Sequence, residues 1–174
     1  EVFKGVVEME RSNIAERSSK LFPFSGIYSA SKYLINLEDK KKIEQVVTLV
    51  SSFWESVGQQ FDQWRGVRIG NISATEVRRD YIHTHVVMLQ ALGIAGKDLI
   101  KANPTNWRAK LKNLKKIDWL KSNPIWDRRV LNNGRVVKNS NSIVLASNVI
   151  KKALGVSLNV NEKALESKFK KNGK

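Results

Sequence analysis

Apolar residues recur along this chain at steps of three and four over most of its length, and only the first ten residues alternate with a period of two. That opening, EVFKGVVEME, predicts a short strand. A lone strand leaves its backbone unpaired, so this one is expected to find partners in a region N-terminal to the chain. After Pro23, SGIYSASKYLIN places Ile27, Tyr28, Tyr33 and Leu34 near helical spacing. A long helix is predicted over residues 37–61, capped by Asn36, with Ile43, Val47, Val50, Trp54, Val57 and Phe61 along one stripe. The next helix opens with Ser73-Ala-Thr-Glu76, the spacing of a capping box, and runs to about residue 100. Its apolar face comprises Val77, Tyr81, Met88, Leu92 and Leu99, widened by Ile82, Leu89 and Ile100. Gly93 and Gly96 fall on the same broad side, where a neighbouring helix can approach closely. So wide an apolar arc predicts the central helix of a bundle.

The pattern changes after Ala102. Asn103-Pro104 breaks the chain, and Thr105 or Asn106 can cap a helix that turns Trp107, Leu111 and Leu114 inward. Ser122-Asn-Pro124 makes a second break. WDRRVLNNGRVVKN then predicts a hairpin, because Asn133-Gly134 suits a two-residue type I′ turn. Ile143, Ala146, Ile150 and Leu154 mark a further helix, with Gly155 placed as a C-terminal cap. A short basic helix follows from about Asn161. The expected fold is mainly α: a helical bundle with a small β-hairpin and a short N-terminal strand. It divides into a helical scaffold half over 1–102, joining a missing N-terminal domain, and a basic helix–hairpin–helix half over 103–174, the two packed as one compact unit.

Charge follows the same division. Residues 1–100 hold 13 Lys and Arg against 12 Asp and Glu, whereas residues 101–174 hold 18 against 4. One half is therefore built to pack and the other to meet a polyanion. A hydrophobic fraction of 41% argues for a folded chain. The absence of cysteine removes disulfides, thiolate metal sites and thiol nucleophiles, and it fits a reducing cytosolic setting. No signal peptide or membrane-length apolar run is present. The chain starts with Glu rather than Met, as expected of a fragment or processed product.

The strongest constellation lies in residues 107–138. At about 100° per residue, Arg108, Lys112, Lys115 and Lys116 gather on the side of their helix opposite the apolar residues. The hairpin adds Arg128, Arg129, Arg135 and Lys138. Charge runs are usually solvated faces, but such faces mix signs, and here only Asp118 and Asp127 interrupt. These eight residues are expected to grip phosphates of double-stranded DNA, giving affinity and register with little sequence information. The last two helices also have the general shape of a helix-turn-helix presenting Lys163, Lys168, Lys170 and Lys171, and the hairpin has that of a wing. Two helices capping a bundle is an equal reading.

His83 and His85 invite a metal or acid–base role. Two residues apart on a helix they point to nearly opposite sides, so they are not expected to chelate one ion. His85 is expected at the edge of the apolar face and His83 on the polar side, one turn from Asp80 and Arg79. No phosphate-binding glycine loop, serine nucleophile motif or carboxylate pair is apparent, so no catalytic, metal or cofactor site is expected. Trp54 belongs to a core face. Trp64, Trp119 and Trp126 sit in less regular, polar-flanked stretches, to be buried, to form a seam between the halves, or to stack on bases.

Several segments together resemble the C-terminal half of the DndB family of DNA sulfur modification proteins. They are FKGVVEMERSNIAERSSKLFPFSGIYSASKYLI, FWESV, EVRRDYIHTHVVMLQALGIAGKDLI and NNGRVVKNSNSIVLASNVIKKALG. Members carry an Asp-Gly-Gln-His-Arg motif in their N-terminal half, which this sequence does not contain, so no activity that depends on it is assigned to this chain. The resemblance implies a DNA-binding repressor that occupies the promoter of a DNA phosphorothioate modification operon; the chain is expected to be bacterial, cytoplasmic and nucleoid-associated, and not an enzyme. The alternative is a module that docks onto other DNA sulfur-modification proteins. A homo-oligomer is compatible with both; a membrane partner is not.

Overall fold

The computed structural model describes residues 2–35 and 42–171. Among the described residues the protein is mainly α-helical with two small two-stranded sheets, as the sequence pattern predicts. The N-terminal strand is shorter than expected. Gly5, at φ 79°, turns the chain, and only Val7–Glu8 (β1) is extended. Its partner lies within this chain: β1 pairs in parallel with Phe22–Pro23 (β2), Val7 opposite Phe22. Phe3 anchors this corner by packing its ring against Phe22, Trp54 and Trp64.

Helix α1 (Phe24–Leu34) buries Gly26, Ala30 and Leu34, and leaves Tyr28 and Tyr33 exposed. This small-residue face is what the central helix α5 (Val86–Ala102) needs. A β-carbon on Gly93 would lie 2.3 Å from the Ala30 carbonyl oxygen, and one on Gly96 would lie 2.4 Å from the Phe53 ring. The two glycines thus set how closely α1 and the Phe53 helix, α2 (Ile43–Gly58), approach. On its other side α5 packs against α7 (Ser140–Leu154), so one apolar core spans both halves of the chain.

Two helices differ from expectation. Asn36 and residues 37–41, the expected start of the long helix, lie outside the described residues. Helix α2 follows an extended Lys42 and ends at Gly58; Phe61, also extended, opens a separate α3 (Asp62–Arg68). Trp54 and Val57 are buried, but the N-terminal part of the predicted stripe is not: Ile43 is 82% exposed and Val47 58%. The helix expected from 73 to 100 is broken in two. Ser73 does stand at the N-cap of α4 (Ala74–Asp80), although its side chain makes no capping bond. Tyr81 then bridges to Leu120, with Ile82 N–H donating to Trp119 O and Lys121 N–H donating to Asp80 O. This pairing takes the backbone out of the helix, which resumes at Val86 after a single 3-10 turn, Ile82–Thr84.

The break reverses the expected placing of His83. It is fully buried rather than on a polar side, ringed by Phe61, Tyr81 and Trp119, and its Nδ1 accepts from Trp64 Nε1 at 3.0 Å. The proton therefore sits on Nε2, which has no hydrogen-bond partner among the described residues. Burial, with the neighbouring His85, pushes the His83 imidazole down to about 3. His85, partly exposed as the N-cap of α5, is pushed down to about 4, by burial first and then by the Lys121 charge.

The C-terminal helix α8 (Val160–Lys171) is held by a buried ionic junction. Asn159 and Glu162 cap its start reciprocally: Glu162 N–H donates to Asn159 Oδ1, and Asn159 N–H donates to Glu162 Oε2. Glu162 also binds Lys151 of α7, a lysine with no exposed surface, whose ammonium reaches Asp98 of α5 at 2.5 Å. One turn further, Glu166 takes a two-pronged bond from the Arg129 guanidinium, at 2.6 and 2.9 Å, and a bond from the Asn148 amide. Burial alone would raise the Glu166 carboxyl; the Arg129 bonds and charge, with Asn148 and Lys152, hold it below its ordinary value.

Two outcomes follow from these buried groups. In the unfolded chain each histidine titrates near 6.5, whereas in the fold both stay neutral until the pH is far lower. Between pH 7 and 5 the unfolded state takes up protons that the native state refuses, costing about 2 kcal/mol per histidine. Chemical denaturation across that range is expected to show stability falling with pH, with roughly half the slope in His83→Gln, whatever that variant's stability at pH 7. Glu166→Ala strands a buried guanidinium and is expected to cost about 3–5 kcal/mol at neutral pH, measured by denaturant unfolding.

Candidate nucleic-acid interface

Trp107, Leu111 and Leu114 are buried, and Arg108, Lys112, Lys115 and Lys116 are exposed around them. Inward and outward sides are as the sequence predicts; the helix type is not. One α turn, α6 (Trp107–Lys110), gives way to a 3-10 stretch, Leu111–Lys116. Leucines three apart suit a repeat of three residues per turn, and the Leu114 carbonyl is taken by Ile117 N–H and by Trp119 Nε1 instead of continuing a helix. The same repeat places Lys112 and Lys115 one above the other. The Arg108 guanidinium lies 4.3 Å from the Trp107 ring centre, so the aromatic that anchors this segment also steadies its first cation.

The hairpin has the predicted turn. Strands β3 (Leu131–Asn132) and β4 (Arg135–Val136) are antiparallel, and Asn133 and Gly134 both have positive φ, 49° and 73°, as a type I′ turn requires. The strands are short, and residues 127–130 form a tight loop instead. In it Arg128 adopts φ 56°, its N–H donating to Leu131 O at 2.7 Å. Arg128, Arg135 and Lys138 are exposed, the first with the Asp127 carboxylate 3.8 Å away.

Arg129 is the correction. It is 8% exposed, its guanidinium is committed to Glu166, and the Phe169 ring lies 4.2 Å from it. An arginine so enclosed and paired with Glu166 holds α8 in place and is not presented at the surface to a phosphate. Seven of the eight expected cations, Arg108, Lys112, Lys115, Lys116, Arg128, Arg135 and Lys138, remain at the surface.

The tryptophans expected either in the interior or stacked on bases are interior. Trp64 and Trp126 are essentially fully buried and Trp119 is 7% exposed. Trp119 and Trp126 stack at 5.6 Å and spend their indole N–H groups on the carbonyls of Leu114 and Asp118. Here they join the 107–131 segment to the His83 cluster.

Sequence reasoning missed the residues that sort the charge. Lys151, Asn148, Glu162 and Glu166 carried two readable signals. Lys151 borders the apolar stripe of α7, one residue past Ile150, and Glu162 and Glu166 are four apart, on one face of an otherwise basic helix. Setting aside Arg129, Lys151, Lys152, Glu162 and Glu166 leaves 15 cations in residues 101–174 against two acids, Asp118 and Asp127.

Among the described residues no group of three His, Asp or Glu side chains is placed to hold a metal ion, and no helix is long and apolar enough to cross a membrane. No curated protein and no solved structure matches the chain. A family model does: DndB, described as DNA-sulfur modification-associated, matches residues 1–157. The match runs from β1 through the basic segment and the hairpin to the end of α7, and the chain belongs to the DndB family of DNA sulfur-modification proteins.

Proposed function

We propose that this chain is a DNA-binding part of a transcriptional regulator that represses a DNA phosphorothioate modification operon by occupying its promoter, with no catalysis of its own. The observation that carries this reading is the outward set of seven cations, with Asp118 and Asp127 the acids interspersed among them, on a chain of the DndB family. Lysine and arginine at these positions neutralise phosphates and release condensed counterions, so affinity is dominated by a salt-dependent, sequence-tolerant term. Promoter selectivity then depends on contacts beyond those seven.

A second reading, docking onto other DNA sulfur-modification proteins, is favoured by a different surface. A groove of about 710 Å³ between the N-terminal segment, α1 and α2 is lined by Phe3, Ile27, Val50 and Trp54, with Met9 on its rim 67% exposed.

Fluorescence anisotropy of a labelled promoter duplex separates the two. With about five to seven phosphates neutralised by those seven cations, they are expected to contribute about −5 to −6 to the slope of log K against log salt. Replacing Arg108, Lys112, Lys115 and Lys116 together by alanine is expected to make that slope shallower by about 3 to 4 and to leave a pull-down of partner proteins unchanged. A flat salt response, or no binding at low salt, contradicts the repressor reading.

A further inference from the structure

The helix that follows the family-matched residues, α8, has an unusual division of charge. It carries four lysines and two glutamates, and the glutamates are both buried. Glu162 is consumed by Lys151 and by its own N-terminal cap; Glu166 is consumed by Arg129 and Asn148, with Lys152 at 3.5 Å. The lysines at 163, 168, 170 and 171 are all exposed. At about 100° per residue they occupy an arc of roughly 160°, opposite the arc of Glu162, Leu165, Glu166 and Phe169. The sequence reads as a mixed-charge helix, but the surface it presents is purely cationic.

The junction also fixes where that surface lies. Phe169 of α8 packs against Arg129 at 4.2 Å and lies 5.7 Å from the exposed Arg128, so the helix abuts the basic hairpin loop. At the other end, the α7–α8 turn meets the basic segment, with Lys110 Nζ 4.0 Å from where a β-carbon on Gly155 would stand.

We propose that α8 is a second phosphate-gripping element for duplex DNA, acting through Lys163, Lys168, Lys170 and Lys171 next to Arg128; this rests on the DNA-binding reading above. Lysine is a flexible point charge without the planar fork of arginine, so the helix adds mainly affinity and register, with little sequence choice. The buried acids hold the helix rigid without lowering the outward charge.

The test is the salt dependence of duplex binding by the full chain and two charge-matched variants. One replaces Lys163, Lys168, Lys170 and Lys171 by glutamine; the control replaces four exposed cations of the neutral half, Lys4, Arg11, Lys42 and Lys97. The α8 variant is expected to show a slope shallower by about 3 to 4, and the control by less than about 1. Lys170→Gln with Lys171→Gln alone, a milder change, is expected to remove about 2. Equal slopes for the α8 variant and the control, with the Arg108–Lys116 variant still impaired, overturn the role of α8 and leave the repressor reading standing. No duplex binding by the unsubstituted chain overturns both.

Discussion

Lys151 is without solvent exposure in the middle of α7, and its ammonium is held by carboxylates from α5 and α8. A buried charge is tolerated only where opposite charge and hydrogen bonds replace the lost water, so this one side chain requires Asp98 and Glu162 to be where they are. Glu162 in turn caps α8, and Glu166, one turn on, meets Arg129. Two cations point in, two acids are drawn in to meet them, and the C-terminal helix becomes part of the core. The outward consequence matters as much: the acids of α8 are removed from the surface, so the charge left there is nearly of one sign.

The neutral half supplies the frame on which that surface is displayed. Helix α5 lies between α1 and α7, and Gly93 and Gly96 allow α1 and the Phe53 ring to approach within distances that a β-carbon would forbid. The chain leaves the helix at Tyr81 to pair with Leu120, which ties the basic segment to the scaffold through backbone hydrogen bonds and the aromatic shell around His83. The cations of residues 108–116 therefore sit on a short, well-anchored stretch, with Trp107, Leu111 and Leu114 as its roots.

What was legible in the sequence is what depends on local pattern. Helical spacing found α1, α5, α7 and α8. Asn133-Gly134 found the hairpin turn, and Gly155, at φ 72°, the end of α7. The inward and outward sides of the basic segment were also readable, because burial of Trp107, Leu111 and Leu114 is a matter of hydrophobicity alone. What was not legible depends on contacts distant in sequence. The break at Tyr81 is imposed by residues 119–121, and the short N-terminal strand is set by its partner at Phe22. Arg129 looked like its neighbour Arg128 until Glu166, 37 residues away, claimed it. The charge of a residue is readable from sequence; whether the fold neutralises it is not.

Under the proposed function, folding sorts the basic residues into a buried set that holds α8 and an outward set that grips DNA. Lysine acetylation of the native protein, followed residue by residue with and without promoter duplex, tests both parts together. Lys151 is expected to stay unreactive in either state, duplex to protect Lys112, Lys115, Lys116 and Lys138 together with the lysines of α8, and Lys4 and Lys97 to react equally throughout. Ready acetylation of Lys151 in the folded protein, or a duplex that protects none of the outward lysines, contradicts this sorting.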